Sequence, residues 1–225
     1  MIAKDFINPL IPYASIDDDL GKVAVLMDDC RVNHLPVIEN NTSAFRGFIS
    51  TEMLYEQSLT STNGSLATYE LSSENCAVYE DQHFFEIIKA MADCNSEMIA
   101  VLSHEDVFLG VITAEDLFHA YSKTIAVQSP GGIIVASIKK IDYSLAEITR
   151  LVEADGAKII GCYLLDDEQD TDRLKVTFKL DKKDVSHIVA TLERFSYRIV
   201  ALFQEEKIIS NEKERLDILM KYLNI

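Results

Sequence analysis

The first half of this chain is written twice, and that constrains its fold more than any other feature. A displacement of 64 residues lays Met27, Asp29 and Cys30 on Met91, Asp93 and Cys94, and Leu35-Pro36-Val37-Ile38 on Ile99-Ala100-Val101-Leu102. Once one residue is dropped from the second copy, Gly47-Phe48-Ile49-Ser50 falls on Gly110-Val111-Ile112-Thr113, and Leu54 on Leu117. Each copy therefore predicts the same small unit. A short extended segment (residues 13–16 and 77–79) leads to an Asp, Asp17 or Asp81, expected to cap a helix by accepting from its free N–H groups. Leu20, Val23, Ala24 and Met27 recur at helical spacing in the first copy, as do Phe84, Ile87, Ile88 and Met91 in the second. Two short apolar strands follow, then a second helix starting at Thr51 or Ala114, so each copy reads β-α-β-β-α.

The second copy closes on Gly110-Val111-Ile112-Thr113-Ala114-Glu115-Asp116: a glycine, two apolar residues, Ser or Thr, two variable residues and an Asp. In this pattern residues 1–125 resemble the CBS domain family. The resemblance implies two units packed sheet to sheet with nucleotide clefts between them. A carboxylate one turn after a hydroxyl, both at a helix start, can accept from ribose hydroxyls while the positive helix end faces phosphate. Thr113 and Asp116 are the residues so placed. The first copy departs from the pattern: Ser50 supplies the hydroxyl, but Met53 holds the acid position and Glu52 lies about 100° round the helix. One nucleotide-binding cleft per chain is the expectation, for AMP, ADP or ATP. The resemblance further implies that Ala77 and Val78 form part of its wall and that His34 lines the phosphate side. The same Thr and Asp also suit a plain helix cap, and the acids Asp17, Asp18 and Asp19 read as a solvated helix start, with no metal assigned.

Beyond Ser129-Pro130-Gly131-Gly132, read as a hinge, the pattern changes. Strands over residues 133–141, 158–165, 174–180 and 198–204 alternate with helices over 145–154 and 185–195, the order β-α-β-β-α-β of a ferredoxin-like arrangement. With Ser144-Leu145-Ala146-Glu147-Ile148 and Gly156-Ala157-Lys158-Ile159, residues 131–205 are similar to an ACT domain, a module whose family binds amino acids at paired interfaces. Where that family carries a glycine after the first strand, this chain has Tyr143 and Ser144, which crowd such a ligand, so dimerisation is the role expected of this part. A last helix is expected within residues 206–225. The chain is thus read as α+β: a CBS pair over 1–127 (copies of about 1–62 and 63–127), an ACT-like domain over 131–205, and a C-terminal helix.

The formal charge of −16 argues against non-specific nucleic-acid binding, which needs Lys and Arg to neutralise phosphates. No apolar run approaches the ~20 residues that span a bilayer, and the N-terminus lacks a basic-then-apolar leader, so no membrane partner and a cytoplasmic location are expected. Cys30, Cys76, Cys94 and Cys162 show no metal-binding spacing. No G-x-S-x-G, P-loop or H-E-x-x-H is present, and the five histidines pair with no nucleophile, so no catalytic residue is assigned. The expectation is a non-catalytic, homodimeric regulator that senses an adenine nucleotide; the alternative is a dimeric scaffold without ligand.

Overall fold

A computed structural model describes residues 1–58, 66–68, 71, 72 and 75–204. The helix expected within 206–225 lies outside them. The chain divides into two units, with the boundary between Ser122 and Lys123.

In the first unit the repeat returns as backbone geometry. The first copy runs β1 (Ala14–Ser15), α1 (Leu20–Cys30), β2 (His34–Ile38), β3 (Phe45–Ser50) and α2 (Thr51–Ser58). The second runs β4 (Ala77–Tyr79), α3 (Phe84–Asp93), β5 (Met98–Leu102), β6 (Phe108–Thr113) and α4 (Ala114–Ser122). Each forms a three-stranded sheet, the first pair parallel and the second antiparallel. Registers coincide after displacement: Ala14 faces Val37 as Val78 faces Val101, and His34 faces Ser50 as Met98 faces Thr113. Even the irregularity recurs, after Val37 and after Val101. Both helix-to-strand turns use a left-handed residue at the same place, Arg31 (φ 56°) and Asn95 (φ 48°).

The two helices are not capped by Asp17 and Asp81. Asp19 caps α1, its carboxylate accepting from the N–H groups of Gly21 and Lys22, while Asp18 binds the Ser15 N–H and Lys22 Nζ and Asp17 binds Asn40. His83 caps α3, accepting from Phe85 N–H, and Glu86 returns to the His83 N–H. A turn of two residues separates each expected cap from the helix, and periodicity alone does not register it.

The copies are joined by exchange of their leading segments. A 3-10 turn at Ala3–Phe6 precedes β1 in sequence, yet Ala3 is buried in the second copy's core with Ile99, Val111 and Leu117. Asn8 donates its N–H to Val111 O at 2.8 Å, and Gly110, at φ 152°, leaves room for Ile7, whose Cγ2 stands 2.5 Å from where a Cβ would be. Conversely Ser72, ahead of β4, bonds in both directions with Phe48 of β3, at 2.8 and 3.0 Å. Phe48 itself is buried in the second copy's cluster. Each copy therefore completes the other's sheet edge and core.

The second unit begins with a short helix, α5 (Ile125–Gln128), and continues β7 (Ile133–Lys139), α6 (Leu145–Ala154), β8 (Ile159–Asp166), β9 (Arg173–Leu180), α7 (Ser186–Arg194) and β10 (Arg198–Phe203). The sheet is antiparallel in the order β10-β7-β9-β8. Alternate residues Ile134, Ala136 and Ile138 with Val176, Phe178 and Leu180 meet Ile148, Leu151 and Val152 of α6 and Ile188 and Leu192 of α7 in one core. The glycines read as a hinge belong inside this unit. A Cβ on Gly131 would lie 1.8 Å from Leu180 O, and Gly132 exchanges bonds with Leu180 N–H and Lys182 O at 2.9 and 2.6 Å. Close backbone approach, not freedom, is what they supply. Ser144 caps α6 through Glu147 N–H, and Tyr143 packs against the core, which accounts for side chains at that turn. Tyr197 donates to Glu147 at 3.0 Å; burial, then that carboxylate, push its phenol up to about 12, so it stays a donor.

Candidate functional site

In the first unit a cleft of about 460 Å³ opens where the two copies meet, within the 300–1,000 Å³ range of small-ligand sites. Four pieces of chain border it. The start of α4 brings Thr113, Ala114 and Glu115; the turn between α1 and β2 brings Arg31, Asn33 and His34; and the N-terminal segment brings Asn8, Leu10 and Ile11. Glu97 and Met98, at the second copy's equivalent of that turn, close the remaining side, and Glu97 O accepts from Ala114 N–H at 2.9 Å.

Thr113 and Asp116 form a reciprocal cap. Thr113 donates its N–H (3.0 Å) and its hydroxyl (2.6 Å) to one Asp116 carboxylate oxygen, and Asp116 N–H donates back to Thr113 Oγ1 at 3.1 Å. Asn8 Nδ2 adds a donor to both carboxylate oxygens, at 3.2 Å each. Thr113 and His34 thus both line this cleft. Asp116 is one hydrogen bond away from it, its carboxylate held by residues that do line it.

Ala77 and Val78 are not brought to this cleft. They sit in β4, Val78 buried and Ala77 half-buried, paired with Val101 and Ala100. The exchange of leading segments is the reason: the wall beside Thr113 comes from the first copy's leader, residues 8–11, and the second copy's leader goes to Phe48. Sequence reading missed Asn8 for the same cause, and Arg31 and Asn33 because nothing local shows which turn faces theirs. One signal was available, since Arg31 is the repeat partner of Asn95 and so belongs to a turn the duplication preserves.

The corresponding position of the first copy is only half built. Ser50 Oγ accepts from Met53 N–H at 3.2 Å, but Met53 has no carboxylate to return and packs against the first copy's core beside Leu54. A larger apolar groove, about 810 Å³, runs between α3 and α4 and exposes Phe85 and Phe118, each 70% accessible. Among the described residues no group of three His, Cys, Asp or Glu is arranged to hold a metal ion, and no helix is long and apolar enough to cross a membrane.

The first half of the chain resembles CBS domain pairs. A CBS domain pair/ACT domain protein from Thermotoga maritima matches 54% of this chain and 96% of its own, at 16% identity and a TM-score of 0.49. A protein from Methanocaldococcus jannaschii matches 55% of this chain and 60% of its own, at 16% identity and a TM-score of 0.50. A third, CBSX2, solved in complex with AMP, matches 53% of this chain and 95% of its own, at 17% identity and a TM-score of 0.46. No protein-family model matches the chain, and no curated protein does.

Proposed function

We propose that this chain is a non-catalytic regulatory protein whose first unit, a CBS pair, holds an adenine nucleotide in the cleft at Thr113, and whose second unit is a ferredoxin-like, ACT-like domain for dimerisation or effector response. One observation carries the reading. The capped start of α4 brings Thr113 to a 460 Å³ cleft that Arg31 and His34 also line, so a hydroxyl, a guanidinium and an imidazole border one ligand-sized space, with the Asp116 carboxylate one hydrogen bond behind Thr113. In this reading the ribose displaces Asn8 from Asp116, and Arg31 and His34 face the phosphate. Ligand bound here bridges both copies, so its binding energy is coupled to how they sit together. That is how a module without chemistry regulates. The order β10-β7-β9-β8 supports the ferredoxin-like reading of the second unit.

The chain works as a cytoplasmic homodimer in this account, as most soluble oligomers close by two-fold pairing. A monomeric mass by light scattering at micromolar concentration would remove that part. One observation favours the ligand-free scaffold instead: Asp116 is already satisfied by Thr113 and Asn8.

Thermal melts with AMP, ADP and ATP separate the two readings. A ligand that binds only the native state stabilises by about 2.7 kcal/mol at a hundred times its Kd, a rise of a few degrees for a domain of this size. Asp116→Ala is expected to abolish the rise, at a cost of about 0.5–2 kcal/mol for the lost cap. No rise with any nucleotide selects the scaffold, and a full rise in Asp116→Ala places the nucleotide away from Asp116 and overturns the site.

A further inference from the structure

We propose that this cleft selects its nucleotide by charge, taking the monophosphate and rejecting the triphosphate; the proposal rests on the adenine-nucleotide reading above. Among the lining residues Arg31 is the one permanent cation, whereas Glu97 and Glu115 are acids, the Glu115 carboxylate standing 3.7 Å from His119 Nε2, so the lining carries more acids than permanent cations. The start of α4 adds little attraction for anions. Its positive end is already answered by two acids of its own first turn, Glu115 and Asp116, and Asp116 takes the free N–H of Thr113.

Arg31, in contrast, is placed and available. It closes α1 in a left-handed conformation, its N–H bonded to Asp28 O at 3.1 Å, and its exposed side chain makes no ion pair with any described residue. A guanidinium offers a fork that matches one phosphate group. The repeat makes the asymmetry plain: Arg31 has Asn95 as its counterpart in the second copy, and Asn33 has Glu97. At the two facing turns, then, one copy contributes a cation and the other an acid. A second and third phosphate find no further cation, two carboxylates within the same wall, and the background field of a chain at −16.

Calorimetric titration of the full chain with adenosine, AMP, ADP and ATP, at neutral pH, about 0.15 M salt and with divalent cations chelated, tests this. AMP should bind at least about tenfold more tightly than ATP, a difference of about 1.4 kcal/mol, with ADP between them. Arg31→Ala should erase the advantage of AMP over adenosine, and Glu97→Gln combined with Glu115→Gln should close much of the gap between AMP and ATP. Arg31, Glu97 and Glu115 are all exposed, so the variants are expected to fold, and their melts check it. ATP binding as tightly as AMP, or an Arg31→Ala protein that still prefers AMP over adenosine, overturns the proposal while leaving the cleft an adenine site. Failure of all four compounds to bind overturns both.

Discussion

Gly131→Ala is expected to destabilise the C-terminal unit by about 3 kcal/mol, the upper end of what overpacking costs. The added Cβ would stand 1.8 Å from Leu180 O and 3.0 Å from Leu180 C, and neither atom can step aside. Leu180 ends β9, a strand paired on both sides, and its N–H is tied to Gly132 O at 2.9 Å. Relief therefore requires the chain ahead of β7 to leave the sheet. Hydrogen exchange is the suitable readout, with protection falling along β7 and β9. Protection unchanged by the substitution would restore Pro130-Gly131-Gly132 as a linker.

Phe48→Ala should cost about 3–5 kcal/mol, as for other large aromatic truncations in a core. Phe48 is 1% exposed, packs edge-on against Phe45 with ring centroids 5.1 Å apart, and bonds with Ser72 in both directions. What sets it apart is its address. It belongs to β3 of the first copy yet lies in the cluster of Val78, Phe84 and Ile99 of the second. Both copies should therefore lose stability together, seen as one denaturation transition shifted to lower denaturant with its slope unchanged. Separate transitions for the two copies within the first unit, followed by hydrogen exchange at β2 and β5, would mean that the copies fold independently.

These two residues also mark where sequence reasoning stops. The duplication carried the elements well: apolar spacing located α1 and α3, alternation located β9, and the paired glycines located β3 and β6. All of that is local, set by periods of 2 and 3.6 residues. Partner choice is not local. Nothing near Asn8 indicates that it will bond with Asp116 across more than a hundred residues, and the family resemblance, which implies Ala77 and Val78 as the wall, does not supply it. The glycine pair was ambiguous for a related reason, because glycine permits both a flexible turn and a close approach, and only Leu180 decides between them. His83 as a cap was obscured by Asp81, the commoner capping residue two positions earlier. Within the site, Thr113 and Asp116 were legible as a motif because their bond is a local capping box. Arg31 was not, since its place on the cleft comes from the turn it faces.

The central claim is that an adenine nucleotide occupies the cleft at Thr113, and amide NMR spectra of the isotope-labelled chain titrated with AMP test it most directly. The account predicts saturable shifts at Leu10 and Ile11, at Arg31 to His34 and at Thr113 to Asp116, three stretches far apart in sequence that border one space, with Asn8 shifting as it releases Asp116. Spectra unchanged at millimolar AMP, or shifts confined to residues 123–204, would contradict it.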